Sequence, residues 1–257
     1  MRYIFTHVPK TAGTSLLEAL ESRFGADQVR RDNRMPLSDP KFKRNFKAVV
    51  SSLREPIFSQ PFVFGHFLTA KYARFTGDGF ARRPNHTYIT FLRDPLQRAI
   101  SHYRYWCRSD GRGNRAWERM QREKWSLEQF LCSRYFANIQ SQFLWGFGLE
   151  QFHFVGVADQ YAKSLLLLGE QFPVFRDLPA LHSNQSPARD ETVEVPSAVQ
   201  AKFKTLNQRD YEIYHQAVAG LEVSLCRAER ASSGLIDRPH SRSSMTDACG
   251  GTFSAFR

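Results

Sequence analysis

Two stretches of this 257-residue chain carry the residue types that grip an anion. The first is His7-Val8-Pro9-Lys10-Thr11-Ala12-Gly13-Thr14-Ser15. Small residues between a strand and a helix let backbone N–H groups point at an anion, and the positive end of the helix adds to the attraction. Lys10 supplies a full charge, while Thr11, Thr14 and Ser15 supply hydroxyl donors. That set suits a phosphate or a phosphosulfate. It is not a Walker A loop, because Lys10 precedes the glycine instead of following it. The second stretch is Arg93-Asp94-Pro95-Leu96-Gln97-Arg98-Ala99-Ile100-Ser101-His102-Tyr103. Arg93 closes an apolar run, and Ser101 lies about two helical turns past Pro95. A planar guanidinium and a hydroxyl in that arrangement can converge on one phosphate. Asp94 reads as a helix cap, Arg98 as a carboxylate partner or a solvated cation, and Tyr103 as core.

The elements that must position these residues are legible around them. Tyr3-Ile4-Phe5 is a short β-prone run, and Leu16, Leu17 and Leu20 follow the first loop at helical spacing. His86 to Leu92 is the clearest strand, and Pro95 fits the first turn of a helix through about Arg108, ended by Gly111-Arg112-Gly113-Asn114. Lys47–Ser51 and Phe152–Val157 read as further strands, and Pro61–Phe67 as a short apolar run ending at Gly-His. Helices are expected over 126–145, 160–172 and 197–226, and residues 26–46 read as a polar, basic excursion. Strands alternating with helices predict an α/β fold with a largely parallel sheet, whose ligands bind beyond the carboxyl ends of the strands. Both candidate stretches sit at such ends.

Composition bounds the rest. Hydrophobic residues make up 42% of the chain, enough for one sizeable core, and the 22 Phe exclude a disordered chain. No run approaches the ~18–20 apolar residues of a membrane helix, and the N-terminus has no apolar secretory core, so a cytoplasmic, bacterial protein is expected. The four Cys show no metal-ligand spacing, and no metal is expected. A net charge of +11 points to an anionic partner without choosing among nucleic acid, membrane, nucleotide and acidic glycan. The basic stretch 98–124 reads as a solvated face plus a loop. Residues 1–230 read as one domain and 231–257 as a flexible tail.

The first stretch resembles the 5′-phosphosulfate loop of the sulfotransferases, in the branch of the heparan sulfate 2-O- and 6-O-sulfotransferases and their bacterial relatives. The run Arg93-Asp94-Pro95…Arg98…Ser101…Tyr103 resembles that branch's 3′-phosphate motif. Weaker similarity continues through Asn138-Ile139-Gln140, Phe154–Val157 and Asn207–Tyr214, so it spans roughly residues 1–220. The resemblance implies a P-loop-like fold and the donor 3′-phosphoadenosine-5′-phosphosulfate (PAPS), used without a metal. It implies that Lys10 contacts the bridging oxygen, that the backbone from Thr11 through Ala12 and Gly13 to Thr14 holds the 5′-phosphate, and that Arg93 and Ser101 hold the 3′-phosphate. Gly65-His66 matches the Gly-His of the 2-O-enzymes, which makes His66 the implied base toward an acceptor hydroxyl. His7 reads as structural. Ala12 stands where many members have Gly, Gln142 where the 6-O-type enzymes tend to have Arg, and Asn184–Arg189 is the candidate for a loop over the adenine. The acceptor is expected to be a carbohydrate, including an anionic glycan, and to take the sulfuryl group on a hydroxyl or an amine. Its pocket is expected to be shaped by 26–46 and 104–124. A nucleotide-dependent kinase and a non-catalytic polyanion-binding protein remain open at this level; the first needs acidic metal ligands, the second a recognisable nucleic-acid motif.

Overall fold

The computed structural model describes residues 1–33, 37, 39–54, 58–111, 114–180 and 193–232. Its centre is a parallel five-stranded sheet. The strands are β1 (Arg2–Thr6), β2 (Val29–Arg31), β3 (Phe62–Gly65), β6 (His86–Leu92) and β7 (Phe154–Val157), in the spatial order β2-β3-β1-β6-β7. Two-residue strands β4 (Arg74–Phe75) and β5 (Phe80–Ala81) form a separate small antiparallel pair. Every residue of β6 is buried, as expected for a strand covered on both faces. Ile4, Val63, Ile89 and Leu92, all fully buried, lie in the main core, which helix α1 (Gly13–Phe24) joins through Leu16, Ala19 and Leu20. Helix α7 (Tyr161–Gln171) adds Leu165 and Leu168, and α9 (Gln208–Ser232) adds Ala217 and Leu221.

Register decides what reaches the carboxyl edge. Thr6 of β1 pairs with Gly65 of β3 and with Thr90 of β6. The next residues of β1 and β3, His7 and His66, therefore leave the sheet side by side. The chain order reverses about β1, and that reversal opens the crevice where α/β sheets take their ligands. Helix α3 (Pro95–Arg108) starts beyond β6, where the Asp94 side chain accepts the Gln97 N–H at 2.9 Å and Pro95 occupies the first turn.

Three local expectations are corrected. Lys47–Ser51 is not a strand; it lies in α2 (Lys41–Ser52), which seats Ala48 and Ser52, four residues apart, against the body. The polar excursion contains edge strand β2 as well as the start of α2. The helix expected over 126–145 is broken into α5 (Leu127–Leu131), a 3₁₀ turn at Arg134–Phe136 and α6 (Ile139–Phe143). The break is fixed at Asn138, held in the left-handed region at φ 54°, whose N–H donates to the Asn207 side chain at 2.8 Å. Helices α4 (Arg115–Arg122) and α8 (Ser197–Leu206) complete the α-helices among the described residues. The candidate adenine loop Asn184–Arg189 lies outside the described residues, as does the expected tail from 233 onward.

Candidate active site

The first loop has the backbone shape of a candidate anion nest. Lys10 and Ala12 both adopt the left-handed conformation, at φ 72° and 63°, so consecutive amides turn toward one concavity ahead of α1. That conformation costs a non-glycine residue roughly 1–2 kcal/mol, a strain characteristic of ligand-gripping loops. The Thr11 hydroxyl donates to the Val8 carbonyl at 2.9 Å and is buried. The sequence expectation that it serves as a ligand donor is thereby corrected: it braces the loop, and only its backbone is left for a ligand. A Cβ at Gly13 would sit 1.9 Å from Nε2 of His7, so any larger residue there must displace that ring.

A cleft of about 1840 Å³ opens over this loop. A single small-molecule site occupies ~300–1,000 Å³, so there is room for two reactants. Lys10, Ala12, Gly13, Thr14 and Ser15 line it, together with His66, Arg93 and Ser101. Every candidate residue except Thr11 is therefore gathered on one cavity, and the two motifs are linked where the Arg93 Nη1 donates to the Lys10 carbonyl at 3.4 Å.

His66 stands beside the loop. Its Nδ1 lies 2.8 Å from the His7 carbonyl. A carbonyl only accepts, so Nδ1 carries the proton and Nε2 keeps its lone pair. Burial pushes the His66 pKa down, and the His7 carbonyl only partly opposes the shift. The imidazole is therefore neutral near pH 7. His7 is pushed further down by burial, then by His66 and Lys10. Lys10 is lowered by burial, then by Arg93 and Arg108, and its Nζ lies 4.5 Å from the centre of the Tyr105 ring. An anion entering the nest relieves this crowding of positive charge.

The second motif is braced from behind by residues the sequence left without a role. Gln140 holds both backbone groups of Arg93, accepting its N–H at 3.0 Å and donating to its carbonyl at 2.9 Å. Asp159 accepts the Asp94 N–H at 2.8 Å and the Tyr214 hydroxyl at 3.2 Å, and lies 3.5 Å from Arg93 Nε. Arg98 is fully buried and does not reach the cleft; burial pushes it down to about 10 against the opposing pull of Asp210. The Asp210 carboxylate accepts the N–H groups of Gln140 and Ser141 at 3.0 and 2.8 Å. The motif around Asn207–Tyr214 is thus a scaffold for the Arg93 corner. Tyr103 is a packing residue, as expected, with its hydroxyl donating to the Trp125 carbonyl at 3.0 Å.

The cleft is also lined by Lys41, Arg44 and Arg134, with Tyr135 and Gln142. Arg44 of α2 donates to the Gln142 side-chain oxygen. Parts of both stretches expected to shape an acceptor pocket reach the cleft, through Asp39, Lys41 and Arg44 and through Arg104, Tyr105 and Arg108.

Comparison with curated protein sequences returns no match. Among solved structures, a sulfotransferase from Alicyclobacillus acidocaldarius is similar at 13% identity and a TM-score of 0.44, over 85% of this chain and 95% of that one. Residues 2–216 match the model of the sulfotransferase family, and the chain belongs to that family.

Proposed function

We propose that the cleft binds PAPS and that His66 activates an acceptor hydroxyl to receive its sulfuryl group. The observation that carries the reading is the convergence of the Lys10 loop, the Arg93–Ser101 pair and a histidine with a free Nε2 on one cavity. The residues fit the donor: a left-handed nest with a glycine where a Cβ would meet the His7 ring suits the 5′-phosphosulfate, and a separate guanidinium with a hydroxyl suits the 3′-phosphate. When bound, that donor supplies an activated sulfuryl group on a phosphosulfate anhydride. The amides from Thr11 to Thr14 hold the 5′-phosphate end. Lys10 offsets charge on the departing bridging oxygen. Arg93 and Ser101 bind the 3′-phosphate and so distinguish the donor from ATP. His66 Nε2 takes the acceptor proton, and its Nδ1–H keeps the ring in the productive tautomer through the His7 carbonyl. The cleft-lining Lys41, Arg44 and Arg134 suit an acceptor with its own negative charge, and an acidic carbohydrate meets that description.

The test is donor turnover against a panel of acidic and neutral polysaccharides, read as release of adenosine 3′,5′-bisphosphate. Lys10→Ala and His66→Ala each lower turnover by about 10²–10³-fold, the scale of removing one transition-state contact, while the far-UV spectrum is unchanged. Full activity in both variants overturns the assigned roles.

A further inference from the structure

Helix α2 is amphipathic the wrong way round for a helix that only packs on its own domain. It seats small residues, Ala48 and Ser52, on the body near Leu68 and Ala70. Its large apolar residues face solvent: Phe42 is 83% exposed, Phe46 59%, Val50 40% and Leu53, at the carboxyl cap, 64%. These four recur at i, i+4, i+8 and i+11, which places them in one stripe along the helix. The two Phe rings lie nearly parallel, with centroids 6.3 Å apart. Single exposed apolar residues are ordinary; a continuous stripe of four marks a docking surface.

The charges beside the stripe identify what it docks to. Lys43, Lys47 and Arg54 flank it on one side of the same exposed arc, and the helix contains no acidic residue. Among the described residues Asp39 answers two of these cations, at 3.4 Å from Lys43 and 2.6 Å from Lys47, which leaves the described part of the arc net positive. A second copy of this chain docked antiparallel is a poor occupant, because that two-fold pairing sets one row of cations against its equal. A sugar chain stacks on Phe42 and Phe46 but finds no hydrogen-bonding group at Val50 or Leu53. A bilayer with anionic headgroups satisfies both halves, hydrocarbon against the stripe and headgroups against the lysines. We infer that α2 is a membrane-surface helix, which lays Phe42, Phe46, Val50 and Leu53 into the interface of an anionic bilayer. Pro40, Lys41 and Arg44, at the start of the same helix, line the cleft, so docking brings the cleft mouth to the membrane surface. The inference does not depend on the donor or on the acceptor.

The test is co-sedimentation of the full chain with phosphatidylcholine vesicles, with and without phosphatidylglycerol. Binding is expected only with phosphatidylglycerol and weakens as salt is raised. The variant Phe42→Ser/Phe46→Ser/Leu53→Ser loses about tenfold or more of the partitioning, with its melting temperature unchanged because these side chains are already in water. Lys43→Gln/Lys47→Gln/Arg54→Gln loses a comparable amount. Three results overturn the inference: no sedimentation with anionic vesicles, undiminished sedimentation of the triple-serine variant, or a wild-type dimer in light scattering that this variant converts to monomer. The second result assigns the attraction to overall charge, and the third gives the stripe to a second copy.

Discussion

The His7 and His66 rings stack with centroids 4.4 Å apart and planes 26° from parallel, and the His7 carbonyl takes the Nδ1 proton of His66. His7 also packs its ring edge against Gly13. One residue therefore joins the anion loop to the candidate base. Because His7 is held neutral, its contribution is shape and not charge. His7→Phe keeps the stack and retains turnover within a few-fold. His7→Ala frees the His66 ring and lowers kcat by about tenfold or more, with KM for the donor little changed; misplacement by an ångström costs up to ~10²-fold. Equal activity of His7→Ala and wild type removes His7 from the machinery.

The loop gives a paired prediction with opposite signs. Gly13→Ala drives a Cβ into the His7 ring, so donor binding and turnover both fall by about 10²-fold. Ala12→Gly relieves a left-handed alanine and raises stability by about 1 kcal/mol, read as a rise of ~2–4 °C in melting temperature. A lowered melting temperature in Ala12→Gly contradicts the strained nest.

Turnover should follow a bell in pH. His66 is pushed below the ordinary 6.5 by burial, so the base stays competent on the acid side until pH falls through that lowered value. Lys10 is pushed below the ordinary 10.5 by burial, Arg93 and Arg108, so in the free protein its charge is lost at a lower pH than usual. The profile of kcat/KM therefore has an acid limb below 6.5 and a basic limb below 10.5. An acid limb above 6.5 is incompatible with His66 as the buried base.

The alternation of strands and helices was readable because β1 and β6 are apolar runs that end in punctuating residues, Pro9 and Asp94-Pro95. Both motif positions were readable for the same reason, since a strand end followed by a helix start is a local signal. The contacts that brace them are not local. Gln140 meets Arg93 across 47 positions and Asp210 meets Ser141 across 69, and neither pair has a spacing that periodicity reveals. The resemblance around Asn138–Gln140 and Asn207–Tyr214 was the only sequence signal for that scaffold. His7 was read as structural because a side chain's direction at a strand end depends on register, here on Thr6 facing Gly65. The misread strand at Lys47–Ser51 has a physical origin too: Val49-Val50 favours strand locally, and the Ala48–Ser52 contact with the body overrides it.

The most direct measurement is calorimetric titration of the chain with adenosine 3′,5′-bisphosphate, AMP and ATP in metal-free buffer. Loss of one charge-assisted phosphate contact costs ~1.5–3 kcal/mol, so the bisphosphate should bind about 10–100-fold more tightly than AMP. Arg93→Met should bring the two affinities together. Equal binding of AMP and the bisphosphate by the wild-type chain, or tighter binding of ATP, contradicts a cleft built to hold both ends of a 3′-phosphorylated nucleotide.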